Sequence, residues 1–204
     1  MQKRLFVAMN LPEDIKKRLF RFVEKEYQDL PVRWVRKENF HLTLNFLGYV
    51  AGENIPELCE SIRKVAKNIQ SFELEFQKIE AGPDNRVKKM IWATGEKSEE
   101  LAELKYQLDK ALGFLAREKR EFRPHITLGR IKREQWRKIF PRATEHRSHQ
   151  ATGQVDRSGT GDKPELDVSR DFKFSVPVSL VELYESKFEK GKRVYYVLES
   201  FSLR

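Results

Sequence analysis

The sequence predicts an α+β fold built from two diverged halves, in which antiparallel sheets carry helices on their outer faces. Two observations lead to this prediction. Apolar positions alternate between the two-residue period of strands and the longer period of helices, so both element types are interspersed along the chain. A His-x-Thr motif with aliphatic neighbours occurs twice, at 41–44 and 125–128, each time after a predicted helix. The halves are therefore expected to be related by a pseudo-two-fold axis.

The first half is predicted to open with a strand at 5–9. Pro12, followed by two acidic residues, is typical of a helix start. Apolar residues at helical spacing continue to Tyr27, and Pro31 breaks that pattern. The strand that carries the first His-x-Thr motif then ends at Gly48.

A second helix is predicted over about 53–69 from its apolar stripe. Cys59, the chain's only cysteine, lies on that stripe and is expected to pack rather than react. A half-buried strand follows at 72–76. A Gly-Pro-Asp-Asn turn at 82–85 connects it to a hairpin partner at 89–94.

Ser98 is a candidate N-cap for a third helix, whose apolar stripe runs from 101 to 115. A basic link leads to the second motif strand, and 132–140 is predicted to be a short helix. The segment 141–170 has almost no large apolar residues and is interpreted as a polar insertion or lid. Clean alternation then predicts a long strand over 172–180, with Pro177 favouring an edge or a bulge. A turn at 189–192 leads to a last strand at 194–198, which completes a final hairpin.

Charge and cysteine content narrow the expected partners and compartment. The 204 residues include 40 Lys and Arg against 31 Asp and Glu, a net charge of +9 at pH 7. This excess favours partners that carry phosphates, nucleic acid above all, although a solvated basic surface is the alternative. A single cysteine allows no intrachain disulfide. With no apolar run long enough for a signal peptide or a membrane span, the sequence predicts a soluble cytoplasmic protein.

The repeated motif places the same polar groups on two strands. Because strand side chains alternate, His41 and Thr43 share one face, as do His125 and Thr127. Two imidazoles facing one phosphodiester are suited to acid–base catalysis: one takes a proton from the attacking oxygen, and the other gives a proton to the departing oxygen. The threonine hydroxyls are candidate donors to the non-bridging phosphate oxygens. This chemistry requires no metal or other cofactor.

Arg130 is a further candidate phosphate ligand. Strict alternation would turn its side chain to the buried face with Ile126 and Leu128. Gly129 could change this orientation, because a glycine permits a bulge or a strand end that turns the next side chain to the other face. The alternative is an arginine at the strand end in solvent.

Other interpretations of these residues stay open. The motif histidines could be structural strand residues, or could bind zinc together with an acidic residue, although no ligand pair has metal-like spacing. His146 and His149 are expected to be solvated loop residues. Four aromatic residues flank the motifs and could stack on a nucleobase, with core packing favoured for each: Trp34, Phe40, Phe46 and Phe122.

Several segments resemble the two-histidine (2H) phosphoesterases, and most closely the RNA 2′,3′-cyclic phosphodiesterases once called 2′-5′ RNA ligases. The matching segments are KRLFVA at 3–8, FHLTLNFLG at 40–48, RPHITLGR at 123–130 and LYES at 183–186, with Gly191 and Tyr195. The resemblance covers nearly the whole chain and implies one bilobal domain over 1–204, with two antiparallel sheets around a central cleft. The segment 141–170 is longer and more polar than the link usual in this family.

The resemblance also implies an activity. RNA with a 2′,3′-cyclic phosphate end would be hydrolysed to a 2′-phosphate without metal. Separately, we expect the protein to be a monomer. By motif match, His41 would give a proton to the 3′ oxygen and His125 would be the base for water. Thr43, Thr127 and Arg130 would hold the phosphate. Reverse ligation of tRNA halves through a 2′-5′ bond is known in this family.

Two other functions are compatible with the same residues. One is a binding module for RNA ends without catalysis. The other is a related 2H phosphodiesterase that acts on a small cyclic nucleotide.

Overall fold

The computed structural model describes residues 1–82, 90–113, 122–132 and 168–204. Most of the predicted turn at 82–85, most of the short helix at 132–140, the end of the third helical stripe and most of the insertion at 141–170, with His146 and His149, lie outside these ranges. The elements in chain order are β1 Gln2–Asn10, α1 Glu13–Tyr27, β2 Val32–Trp34, β3 His41–Ala51, α2 Ile55–Ala66, β4 Phe72–Gly82, β5 Met90–Gly95, α3 Glu99–Leu112, β6 His125–Ile131, β7 Arg170–Val178, β8 Leu180–Glu189 and β9 Lys192–Ser202.

The helices begin where the sequence places their start signals. Pro12 precedes α1, and the Ser98 hydroxyl accepts a 3.0 Å hydrogen bond from the Leu101 amide at the start of α3. Helix α2 is shorter than predicted at both ends, because Gly52–Asn54 form a 3₁₀ turn before it and the helix ends at Ala66. Cys59 is buried on α2, and burial, followed by Glu199, raises the pKa of its thiol to about 11, in line with a packing role. No helix among the described residues is long and apolar enough to cross a membrane.

The described strands form one antiparallel sheet in the order β7-β4-β5-β6-β3-β1-β8-β9, with β2 added to β6. The two expected sheets are therefore two lobes of one sheet. The first lobe is β3-β1-β8-β9, and the second lobe is β6-β5-β4-β7. Among the described strands, the two lobes pair with each other only at Leu42 of β3 and Ile126 of β6.

The lobes are related by the predicted pseudo-two-fold, with an exchange of strands. Strand β4, which follows the first motif, pairs with β5 in the second lobe. Strand β8, which follows the second motif, pairs with β1 in the first lobe. Each half of the chain thus supplies one strand to the lobe that carries the motif of the other half. Such a chain path ties the two motifs into one folding unit.

The predicted last hairpin with its turn at 189–192 is present, but the prediction for its first arm was wrong. The alternating stretch at 172–180 is not its first arm: β7 ends at Val178 and pairs with β4, whereas β8 starts at Leu180 and pairs with β9. Ser179 is the only residue between the two strands, and the chain changes lobe there without the Gly or Pro signal of a turn. Strand β7 is an edge strand, so Pro177 sits where the sequence expected it.

We expect Gly129→Ala to lower the free energy of unfolding by about 1–3 kcal/mol, the usual effect of overpacking. A Cβ at this position would lie 2.5 Å from Cγ1 of Val32 and 2.8 Å from the ring of Trp34, both on β2. Urea denaturation measures the change. Glu75→Ala, at an exposed strand position in the same lobe, is the control and should change stability by less than about 0.5 kcal/mol. Equal stability of Gly129→Ala and the wild type would contradict the packing described for β2 and β6.

Candidate active site

The junction between the lobes sets the two motifs against each other. Leu42 and Ile126 are the paired residues, and their side chains are buried in the core at 1% and 0% exposure. In this antiparallel register His41 lies across from Thr127, and Thr43 lies across from His125. Residues that flank a buried pair point to the opposite face of the sheet. The four motif side chains therefore share the face opposite to the core.

Both imidazoles are held in the same way. Nδ1 of His41 is 2.7 Å from the carbonyl oxygen of Asn39, and Nδ1 of His125 is 2.8 Å from that of Arg123. A carbonyl oxygen only accepts, so each Nδ1 carries the proton and donates it. This fixes the tautomer in which Nε2 is the basic nitrogen of the neutral ring. Each ring thus presents Nε2 for proton transfer.

Within the first motif, the two polar side chains contact each other. Nε2 of His41 lies 3.0 Å from Oγ1 of Thr43. With the proton on Nδ1, the neutral ring accepts a hydrogen bond from the threonine hydroxyl. A ligand that takes over this hydroxyl would release Nε2 for proton transfer. The pair is therefore organised before any substrate binds.

The pKa of His41 is lowered from its usual 6.5 to about 4. Burial is the largest cause, and electrostatic interactions with His125, Arg130 and Lys16 lower it further. The hydrogen bond to the Asn39 carbonyl acts in the opposite direction. His41 is therefore neutral near pH 7 in the free protein. The influence of His125 and Arg130 on this pKa also shows that both motifs act on one region.

An aromatic cluster desolvates His41. Its ring centroid lies 5.1 Å from that of Phe6, 5.2 Å from Tyr195 and 6.2 Å from Tyr184. Phe6 and Tyr184 stack at 5.0 Å. The Tyr184 hydroxyl donates to Glu182, and burial together with this carboxylate raises the pKa of Tyr184 far above its usual value. The tyrosine therefore stays neutral and fixed beside the imidazole.

The aromatic cluster around His41 was not predicted from the chemistry of the individual residues. The sequence pointed to Tyr184 and Tyr195 only through the family resemblance, and to Phe6 only as part of the first strand and of the matching segment at 3–8. A signal was present, because alternation sets Phe6 on the opposite face from Leu5 and Val7, which pack in the main core. Phe6 is thus an aromatic residue on the same face of β1 as the site.

The residues around His125 differ from those around His41. Its ring lies 4.5 Å from that of Trp92 on the neighbouring strand β5. Oγ1 of Thr127 lies 4.0 Å from the sulfur of Met90, and an Nη atom of Arg130 lies 3.6 Å from the same sulfur. The second lobe thus combines one histidine with a tryptophan ring and an exposed cation, whereas three aromatic rings surround the other histidine in the first lobe.

A β-bulge brings Arg130 to the site face. Trp92 pairs with Thr127 and Ile91 pairs with Gly129, so Leu128 is an extra residue in β6. The bulge resets the alternation, and Arg130 is exposed rather than buried. The bulge that the sequence suggested through Gly129 is present. As expected from the sequence, it turns the side chain of Arg130 away from the buried face.

The first motif contains an equivalent bulge that the sequence did not reveal. Ala8 pairs with Thr43 and Val7 pairs with Asn45, so Leu44 is the extra residue in β3. Asn45 turns inward, where its amide nitrogen donates to Asp109 at 2.6 Å. Phe46 then occupies the position that Arg130 occupies in the second lobe, and its side chain is 57% exposed.

The other flanking aromatics pack in the core. Phe40 is buried at 1% exposure, and Trp34 and Phe122 pack against the core from partly buried positions. Core packing, the favoured interpretation, is therefore right for these three and wrong for Phe46.

The zinc alternative lacks a third ligand in the part of the chain that is described. There, no group of three or more His, Cys, Asp or Glu side chains is arranged to hold a metal. A cavity of about 430 Å³ lies elsewhere, between α2 and α3, and contains none of the predicted site residues.

Comparison with known proteins agrees with this geometry. The family described as LigT like Phosphoesterase matches residues 10–92 and 93–165, one segment for each motif. An RNA 2′,3′-cyclic phosphodiesterase of Methanocaldococcus jannaschii is 33% identical over 130 residues, 63% of this chain and 72% of that protein. The enzyme of the same name from Thermotoga maritima is 32% identical over 143 residues, 67% of this chain and 75% of that protein.

The fold is also that of a solved relative. The structure of E. coli LigT in complex with 3′-AMP superimposes with a TM-score of 0.68 at 25% identity, covering 100% of this chain and 99% of that one. The predicted α+β fold of two repeated halves is confirmed. The chain belongs to the LigT-like phosphoesterase family, as its paired motifs indicated.

Proposed function

We propose that this protein hydrolyses the 2′,3′-cyclic phosphate at an RNA end to a 2′-phosphate, using His41 and His125 as an acid–base pair. The observation that carries this proposal is the register at Leu42 and Ile126, which sets the two His-Thr pairs across from each other on one face. The names of the relatives and the nucleotide bound in E. coli LigT support an RNA substrate.

In the proposed reaction His125 acts as the base. Its Nε2 takes a proton from water while the water oxygen attacks phosphorus. The bond between phosphorus and the 3′ oxygen breaks, and Nε2 of His41 gives its proton to that oxygen. The product has a 2′-phosphate and a 3′-hydroxyl, and the next turnover needs only proton exchange with solvent.

The threonines and the arginine are assigned to the phosphate. Thr43 and Thr127 lie beside the two imidazoles and offer hydroxyl donors to the non-bridging oxygens. Arg130 is exposed on the site face and adds a charge-assisted contact. Donors placed before the reaction stabilise the charge that develops on the phosphorus oxygens.

The acid role of His41 requires its pKa to rise when substrate binds. Near pH 7 its ring is neutral in the free protein, because its pKa is about 4. A cyclic phosphate carries a negative charge, and a negative charge within about 4–6 Å favours the protonated imidazole. Substrate binding would thus favour protonation of His41. The phosphate would accept the hydrogen bond that the Thr43 hydroxyl otherwise donates to the imidazole.

The same groups support ligation as a reverse reaction. A 5′-hydroxyl of a second RNA in place of water would attack the cyclic phosphate and give a 2′-5′ bond. We propose that the protein carries this out as a monomeric, cytoplasmic single domain, with tRNA halves as candidate substrates.

Two rival functions make different predictions. A binding module for RNA ends needs phosphate donors but no proton transfer, so the tautomers fixed by Asn39 and Arg123 would have no purpose. A phosphodiesterase for small cyclic nucleotides would not respond to RNA length.

Incubation with RNA ending in a 2′,3′-cyclic phosphate, in the presence of chelator, should yield a 2′-phosphate end. His41→Ala and His125→Ala should each lower the rate by roughly 100- to 10,000-fold, the usual contribution of one proton transfer. Chromatography against 2′- and 3′-phosphate standards identifies the product. Tight binding by the wild type without turnover would support the binding module. Full activity of either variant would refute the assigned pair.

A substrate with sulfur in place of the 3′ bridging oxygen separates the acid from the base. A thiolate leaves without protonation because its conjugate acid has a pKa of about 8.5. We expect this substrate to restore much of the activity of His41→Ala and none of that of His125→Ala. Single-turnover rates measure the rescue. Rescue of His125→Ala instead would reverse the two roles.

Titration by NMR tests the switch in His41. The ring should titrate with a pKa near 4 in the free protein, and clearly higher when adenosine 2′-monophosphate is bound, because the phosphate stabilises the imidazolium. The signal is assigned by its loss in His41→Asn. A pKa that does not move on binding the nucleotide would be inconsistent with the acid role.

A further inference from the structure

We propose that the RNA chain upstream of the cyclic phosphate lies along β3 and β1, with a base stacked on Tyr49 and a backbone phosphate bound by Arg4. This inference rests on the proposed function and extends it, because it defines the substrate as a single strand of more than one nucleotide. Tyr49 and Arg4 together are called the upstream site.

The upstream site lies on the face of the sheet that carries the histidines. Phe6 contacts His41 and pairs with Phe46 across the β1–β3 ladder. Two residues earlier on β1, Arg4 pairs with Tyr49. Residues directly opposite in an antiparallel pair share a face, as do alternate residues of one strand. Phe46, Tyr49 and Arg4 are therefore on the same face as His41.

A second bulge in β3 produces this arrangement. Phe46 and Tyr49 are three positions apart, and in a regular strand they would point to opposite faces. The ladder passes from Phe46 opposite Phe6 to Gly48 opposite Leu5, so Leu47 is an extra residue, and Gly48 has a φ of 73°. The bulge turns Tyr49 back to the site face.

Both members of the upstream site are open to solvent. Tyr49 is 70% exposed, and Phe46, which lies between it and the histidine along β3, is 57% exposed. Arg4 is exposed and has no ion pair with any described residue. Exposed rings beside an unpaired cation are the combination with which proteins bind single-stranded nucleic acid: bases stack on the rings, and the cation binds the backbone.

Distance separates the upstream site from the reacting phosphate. Arg4 lies six positions before Asn10 on β1, and Asn10 pairs with His41, so the two are roughly 20 Å apart in an extended strand. A mononucleotide held at the histidines cannot cover that distance, whereas an oligonucleotide can. Because the cyclic phosphate ends the RNA, the chain leaves the site in one direction only, and β3 with β1 offers it a path.

The test compares two substrates: a mononucleoside 2′,3′-cyclic phosphate and a six-nucleotide RNA with the same end. For the RNA, Tyr49→Ala should lower kcat/KM by roughly 5- to 100-fold, the effect of losing one stacked base, mainly through KM. Arg4→Ala should weaken RNA binding and reduce its dependence on salt. Neither variant should change kcat/KM for the mononucleotide, and Tyr49→Phe should restore RNA turnover.

Matched controls lie on the helices. Tyr106→Ala removes a tyrosine that is 60% exposed on α3, and Arg21→Ala removes an exposed arginine on α1. Neither should affect either substrate. Phe188→Ala tests a rival path over the β8–β9 hairpin, where this exposed ring lies 5.9 Å from the guanidinium of Arg193.

The outcomes separate this inference from the proposed function. Turnover of both substrates by the wild type, with no selective loss in Tyr49→Ala or Arg4→Ala, overturns the upstream site alone. Selective loss in Phe188→Ala instead places the RNA on the other path and also overturns it. Equal losses on both substrates would assign Tyr49 to folding or chemistry rather than to upstream binding. A wild type that turns over neither substrate refutes the proposed function itself.

Discussion

The arrangement of the site depends on one pair of residues, Leu42 and Ile126. Their backbones form the only described link between β3 and β6, and their side chains are buried in the core on the far side of the sheet. Because strand side chains alternate, anchoring this pair forces the histidine and threonine on either side of it to the opposite face. A shift of one residue at the junction would bury the polar motifs and expose the aliphatic ones, so the core that stabilises the fold also sets the geometry of the site.

The two lobes share one backbone feature, a β-bulge, but carry different side chains beside it. Each motif ends in a bulge, at Leu44 and at Leu128, which turns the residue five positions after each histidine to the site face. In one lobe that residue is Phe46 and in the other it is Arg130. Duplication thus gives two equivalent backbone positions, and divergence has placed an apolar side chain at one and a cationic side chain at the other. The low pKa of His41 follows from this difference, since its own lobe desolvates the ring while the partner lobe supplies positive charge.

Much of this arrangement could be predicted from the sequence because it is local. The alternation of His41 with Leu42, the N-cap at Ser98 and the bulge suggested by Gly129 all depend on residues within a few positions of each other. Non-local features could not be predicted. The exchange of β4 and β8 between the lobes and the change of lobe at Ser179 depend on pairing across the chain. The bulge at Leu44 is followed by Asn45 rather than glycine, and the burial of that asparagine depends on Asp109 in a distant helix.

The most direct test of the account is a crystal structure with a trigonal bipyramidal mimic of the reacting phosphate, formed from uridine and vanadate. The account predicts that Nε2 of His41 and Nε2 of His125 each lie within hydrogen-bond distance of an apical oxygen, His41 at the one that stands for the 3′ oxygen and His125 at the one that stands for water. Thr43 and Thr127 should contact the equatorial oxygens. A complex in which both imidazoles contact the same apical oxygen, or in which one of them contacts none, would contradict it.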